Sequence, residues 1–139
     1  QEQRDFVAGN DVSIIEAYTA VTGGGHAFPF GIYEGDAPVG FLMIGYDTDA
    51  CWEDAPAIAK SNYTLWRLMI DEKYQRRGYG REAVALALAF IRAAPCGKAD
   101  CCWLSYEPDN AVARALYASF GFVETGEWDG AERIAVLKL

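Results

Sequence analysis

The sequence is short of the residues that build metal centres and histidine chemistry. Its one histidine, His26, has no second to work with, and Cys51, Cys96, Cys101 and Cys102 include neither a CxxC pair nor a Cys/His cluster. Structural zinc sites and redox dithiols need those spacings, so no metal is expected. The adjacent Cys101 and Cys102 cannot easily bridge within an extended strand, which leaves four buried or free thiols rather than a disulfide framework. Also missing are an apolar run long enough to cross a bilayer and a charged segment leading into an apolar one. A soluble, cytoplasmic protein with no membrane partner is the expectation. Cations are scarce too, with 12 Lys and Arg against 20 Asp and Glu and a net charge of −8. With a single short basic patch, that balance argues against a nucleic-acid partner.

What is present suffices for one domain over residues 1–139, since 52% of the chain is hydrophobic and 14% aromatic. The charge is uneven. Residues 1–59 hold ten carboxylates and one cation, Arg4, whereas residues 60–139 hold ten carboxylates and eleven cations. A solvated acidic surface explains this, and so does a division of labour with a cationic partner on the first half and an anionic one on the second.

Periodicity and punctuation organise the chain. "NDVSIIEAYTAV" (10–21) has capping residues and then apolar residues at helical spacing, and "TGGG" (22–25) stops that helix. Residues 26–47 read as a hairpin around Glu34-Gly35-Asp36, and "YTLWRLMID" (63–71), with little polar content, reads as a central strand. A helix is expected from about Gly80 to Ala94, ended by Pro95 and Gly97, then a strand over 99–106 and a helix over 108–122 with Asp109 or Asn110 near its N-cap and Gly121 as its stop. Two last strands join at Asp129-Gly130. Alternation in the middle with hairpins on both sides predicts an α/β fold, a mixed central sheet flanked by helices.

The stretch "DEKYQRRGYGREAVALALAF" (71–90) places Lys73, Arg76, Arg77 and Arg81 beside Gly78 and Gly80, between a strand and a helix. Such a turn presents unpaired backbone N–H groups at the positive end of the helix, which is an anion site in outline. Glycine-rich turns with surface arginines are also common without any ligand. The pattern is neither GxxxxGK[ST] nor GxGxxG, so nucleoside triphosphates and dinucleotides are weak candidates.

Gln75-Arg76-Arg77-Gly78-Tyr79-Gly80 resembles the Q/R-x-x-G-x-G/A signature of the GNAT family of N-acetyltransferases. The likeness extends upstream through "LWRLMID" and downstream through "WLSYEPDNAVARALYASFGF", covering about residues 63 to 122, and is closest to the bacterial diamine, spermine and spermidine acetyltransferase-like subgroup. It implies the GNAT fold, acetyl-coenzyme A as cosubstrate, and direct transfer of acetyl to an amine in a ternary complex. The coenzyme pyrophosphate would lie on Gln75, Arg76, Arg77, Gly78, Tyr79, Gly80 and Arg81, and the pantetheine arm along the backbone of Leu68, Met69 and Ile70. Asn110, Arg114 and Tyr117 would complete the coenzyme site. The N–H near Ile70 would face the developing oxyanion, and Tyr117 would protonate the leaving thiolate.

Each role has a plainer counterpart, since Tyr117 also fits a packed helix aromatic and Asn110 a helix cap. The amine must lose a proton, yet the strand position where related polyamine enzymes carry a carboxylate is Trp66, beside Arg67. Glu34, Asp47 and Asp71 stay open as bases, whereas His26 reads as a strand-edge or packed residue and a Cys101 or Cys102 nucleophile lacks a neighbouring histidine. A small-molecule amine is the expected partner, a polyamine first, with Tyr18, Phe28, Phe30, Tyr33, Tyr46 and Trp52 as candidate cation–π faces. Protein N-termini, lysine side chains, amino acids and aminoglycosides, a homodimer, and a coenzyme-binding domain without catalysis stay open. Too few residues precede the helix at 10–21 for the family's usual opening strand and helix, so either the first strand is absent from this chain or the sheet edge is completed otherwise.

Overall fold

A computed structural model describes Thr22 and residues 24–139. The helix expected at 10–21 and the question of a first strand lie outside the described residues. Strands β1 (His26–Glu34), β2 (Ala37–Tyr46) and β3 (Tyr63–Ile70) lead to helix α1 (Tyr79–Arg92); β4 (Cys101–Tyr106), helix α2 (Ala111–Ser119), β5 (Val123–Asp129) and β6 (Glu132–Lys138) follow. The six strands form one sheet in the order β1-β2-β3-β4-β6-β5. Among the described residues, only β3 and β4 run parallel as neighbours; every other pairing is antiparallel. Strand β3 thus holds the interior position that its apolar composition predicts.

Helices α1 and α2 pack on one face. Ala83, Val84, Ala87, Leu88 and Ile91 recur at helical spacing along α1 and are buried, and they share a core with Leu42, Ile44, Tyr63, Leu65, Cys102, Leu104, Tyr106, Tyr117 and Phe122. On the opposite face the connection between β2 and β3 covers the sheet, where Ala59, Trp52 and Ile58 meet Trp103, Ile134 and Val136.

Helix α2 lies within the expected 108–122, with Asn110 as its N-cap and the turn at Gly121 after it, as the sequence predicts. The last hairpin turns at Gly130-Ala131, one residue later than expected, since Asp129 pairs directly with Glu132 and Gly130 takes φ 59° at the first turn position. One further irregularity was not foreseen: the β2–β3 register shifts between Met43 and Ile44, so that Leu65 opposes Ile44 and Arg67 opposes Met43, with Trp66 as the extra residue.

Candidate active site

Strands β3 and β4 touch at one end only. Tyr63 pairs with Cys102 and Thr64 with Trp103, and no further rungs join these strands, although β4 is paired with β6 along its whole length. From Leu65 onward the two strands part. Orientation along β3 then follows from one bond: the Asp71 N–H donates to the Val39 carbonyl of β2 at 2.8 Å. Backbone groups alternate sides along an extended strand, so the N–H groups of Leu68 and Ile70 point away from β2, into the gap. The Gln75 amide donates to the Ile70 carbonyl at 3.0 Å, which ties the loop after β3 to this edge. Close approach of β2 depends on Gly40, where a Cβ would collide with the Met69 carbonyl oxygen.

The gap leads to the N-terminus of α1. Gly78 is its N-cap, with φ 88° and no side chain to accept from the first turn, and Arg76 also has a positive φ of 62°. A Cβ on Gly78 would meet nothing within 4 Å, so the glycine serves the backbone conformation and leaves the helix end open. At Gly80 a Cβ would make ordinary contact with Leu116 at 3.7 Å, consistent with a position that takes glycine or alanine. Arg77 lies 5.5 Å from the centre of the Tyr74 ring. Arg81 donates to Ser119 Oγ at 3.1 Å and lies 5.4 Å from the Phe120 ring, joining α1 to α2. Glu34, at the tip of the first hairpin, is the chief cause that pushes the Tyr79 phenol up.

Tyr117 is set by the way α2 ends. The Phe122 N–H donates to the Tyr117 carbonyl at 3.2 Å and the Gly121 N–H to the Ala118 carbonyl at 3.0 Å, while Gly121 has φ 94°. This paired closure brings the residue after the glycine back over the last turn, and Phe122 accordingly packs on Tyr117 with ring centres 5.8 Å apart. Tyr106 of β4 stacks on Tyr117 at 6.0 Å. Burial, first, and then the charges of Cys102, Glu132 and Tyr106 push the Tyr117 phenol far up, so it is a protonated donor at neutral pH. Among the described residues its hydroxyl has no hydrogen-bond partner.

Asn110 and Arg114 have structural partners. The Asn110 side chain accepts from the Ala113 N–H at 3.1 Å, the capping role. Arg114 Nε lies 3.0 Å from Glu124 Oε1, and Tyr106 donates to the same carboxylate at 2.9 Å. Of the carboxylates considered as bases, Asp47 accepts from the Ser61 N–H at 2.7 Å and Asp71 from the Lys73 N–H at 2.9 Å, while Glu34 acts on the Tyr79 phenol. His26 is exposed at the start of β1, 6.1 Å from the Tyr46 ring. Phe28 and Phe30 both pack edge-on against Phe90 at 5.3 Å, and Trp52 lies 5.7 Å from Trp66, so these rings serve packing; Tyr33 stands 64% exposed. All four cysteines are free, and burial pushes the Cys102 thiol up to about 12, the opposite of an activated nucleophile.

A polar group that the sequence did not single out sits on the other face of the gap. Ser105 of β4 donates to Glu132 of β6, Asp129 opposes Glu132 across the last hairpin, and the charge of Arg67 from β3 acts on Asp129. Burial and then Glu132 push the Asp129 carboxyl up, against the pull of Arg67. Its only sequence signal was the turn at Gly130, because the β4–β6 contact joins residues far apart in the chain.

Residues 4–122 match the model of the acetyltransferase (GNAT) family. The chain belongs to this family. It is an N-acetyltransferase by that membership, and its parted mixed sheet, with two helices packed on it among the described residues, is the GNAT fold. The chain is 34% identical over 119 residues to the spermine/spermidine N(1)-acetyltransferase of Bacillus subtilis, a match that takes in 80% of this chain and 70% of that protein. Among solved structures, a Pyrococcus horikoshii protein superposes with a TM-score of 0.70 at 22% identity, covering 93% of this chain and 73% of its own. The PaiA N-acetyltransferase of Thermoplasma acidophilum, solved in complex with coenzyme A, superposes with a TM-score of 0.65 at 16% identity, covering 94% and 72%. Among the described residues no group of three or more His, Cys, Asp or Glu could hold a metal ion, and no helix is long and apolar enough to cross a membrane.

Proposed function

We propose that this GNAT protein transfers acetyl from acetyl-coenzyme A to a primary amine, with a polyamine as acceptor. The observation that carries the reading is the parting of β3 from β4, which leaves the Leu68 and Ile70 N–H groups facing a gap that ends at an uncapped helix N-terminus. An extended, amide-bearing arm attached to a pyrophosphate fits that combination: the free strand edge offers ladder hydrogen bonds and the helix end offers N–H donors to the anion. Gln75, Gly78, Tyr79, Gly80 and the arginines Arg76, Arg77 and Arg81 would hold the phosphates. Leu68, Met69 and Ile70 would hold the arm, with Asn110 and Arg114 at its α2 side.

Acetyl-coenzyme A supplies the activated thioester. The protein's part is to orient it, to meet negative charge on the carbonyl oxygen with the Ile70 N–H, and to keep the buried Tyr117 hydroxyl protonated as donor to the departing sulfur. Polyamine as the acceptor class rests on two supports, the relative's activity on spermine and spermidine and the excess of carboxylates over the first 59 residues. The test is an acceptor screen with acetyl-coenzyme A and a panel of amines, read by mass spectrometry. Acetylated spermidine or spermine is expected. Product on a peptide amine instead would move the acceptor class, and coenzyme binding without turnover on any amine would mark a non-catalytic binding domain.

A further inference from the structure

A donor to the departing sulfur must hold its hydroxyl steady, and among the described residues the Tyr117 hydroxyl has no hydrogen-bond partner to hold it. The orientation of the ring then comes from what packs on it. Two rings do so, Phe122 edge-on at 5.8 Å and Tyr106 stacked at 6.0 Å with 24° between the planes. Phe122 is fixed by the closure of α2, where its N–H donates to the Tyr117 carbonyl. Tyr106 is fixed from outside the helix.

Tyr106 is the last residue of β4, only 6% exposed, and its hydroxyl donates to Glu124 Oε1 at 2.9 Å. Glu124 stands on β5 opposite Ala135, a residue of the core beneath the helices, so its side chain projects to the helix face. On α2, one turn before Tyr117, Arg114 holds both oxygens of the same carboxylate. Its Nε lies 3.0 Å from Oε1, and its Nη2 donates to Oε2 at 3.3 Å. A forked guanidinium fixes the carboxylate's plane, where a single bond would leave it free to turn. Burial, first, and then the bond to Glu124 push the Tyr106 phenol up to about 12, so it stays a donor to that carboxylate. The contacts close a ring: α2 carries both Arg114 and Tyr117, and the path from Arg114 through Glu124 and Tyr106 returns to Tyr117 across the stacked faces.

We propose that Glu124 is a positioning residue for acetyl transfer, fixing the Tyr117 hydroxyl at the leaving sulfur through Tyr106. This rests on the acetyltransferase reading above, with Tyr117 as the donor. In this role Glu124 exchanges no proton with the reacting atoms. Its effect is alignment, and a small misplacement at a reacting centre costs rate out of proportion to its cost in binding. A network that merely ties β5 to α2 would instead change the melting temperature and leave kcat alone.

Two substitutions cut the path at one bond. Glu124→Ala removes the acceptor of the Tyr106 hydroxyl, and Tyr106→Phe removes the donor while keeping the buried ring. Each should lower kcat about 10-fold, measured well below the melting temperature with spermidine or whichever amine of the panel yields product. Coenzyme A affinity by calorimetry should stay within twofold of the unaltered protein. Glu124→Gln keeps an oxygen for Tyr106 and should restore most of the rate. The deciding measurement is made in a Tyr117→Phe background: with the hydroxyl gone there is nothing left to position, so Glu124→Ala should lower kcat no further. Tyr106→Phe carries the same comparison where Glu124→Ala does not fold. An equal loss of kcat in both backgrounds would overturn the proposal, as would full activity of Tyr117→Phe itself, and either leaves the acetyltransferase reading standing. Lack of turnover by the unaltered protein on any amine would overturn both.

Discussion

Helices α1 and α2 begin in opposite ways. At α2, Asn110 turns its side chain back onto the Ala113 N–H and closes the first turn with the protein's own atoms. At α1, a glycine stands where that cap would be, the chain enters with a positive φ at Gly78, and the first turn is left open beside a strand edge that is also open. A capped end contributes to stability; an open end gives that contribution up and keeps donors ready for an anion. Chemically similar termini thus separate into a structural one and a binding one by a single residue.

The largest test of that contrast is to close the open end. Gly78→Asp gives α1 a side-chain acceptor and puts negative charge where phosphate would lie. Coenzyme A affinity measured by calorimetry should fall about 100-fold or more, while the positive φ costs the fold only about 1 kcal/mol. Unchanged affinity would remove the loop from the coenzyme site. Next comes Tyr117→Phe, which should lower kcat about 100-fold with little change in melting temperature, because the hydroxyl has no partner among the described residues. Full activity in that variant would leave Tyr117 as a packing residue clamped by Phe122.

Opening the closed end is the converse test. Asn110→Ala should cost about 1 kcal/mol, roughly 4 °C in Tm, whereas Asn110→Asp should keep most of the cap. A large loss of coenzyme affinity with either would show that the asparagine serves the ligand too. The smallest effect at neutral pH belongs to Cys102, at the joined end of β3 and β4. Its folded pKa of about 12 stands above the usual thiol value of 9.0. The stability tied to its protonated form is therefore complete below pH 9 and is lost as pH rises toward 12. Urea unfolding from pH 8 to 11 should show a shallower decline for Cys102→Ala than for the parent chain.

Much of this was legible before the coordinates, because the coenzyme-side features are local. A strand, a glycine turn and a helix follow one another within residues 63–92, and Asn110, Tyr117 and Gly121 lie on one helix and its end. Periodicity and capping rules read such segments well. The acceptor side is not local. Ser105 meets Glu132 through the pairing of β4 with β6, and Arg67 reaches the gap through a register shift at Trp66 that changes which face each later β3 residue presents. Neither the pairing nor the shift leaves a mark at those positions in a single sequence, so the sequence leaves Glu34, Asp47 and Asp71 open as bases and does not single out Ser105 or Glu132.

The parting of β3 and β4 also divides the sheet into two three-stranded halves, joined at Tyr63–Cys102 and Thr64–Trp103. Tyr63 strengthens that joint, donating to the Gly97 carbonyl at 2.8 Å and accepting from the Cys96 N–H at 2.9 Å. The amides of Leu68 and Ile70 therefore lie on an interior strand of the sheet and yet should exchange with solvent deuterium like those of an edge strand. An arm seated in the gap would act as the sheet's missing strand and slow those two amides most, giving a readout of occupancy that needs no turnover.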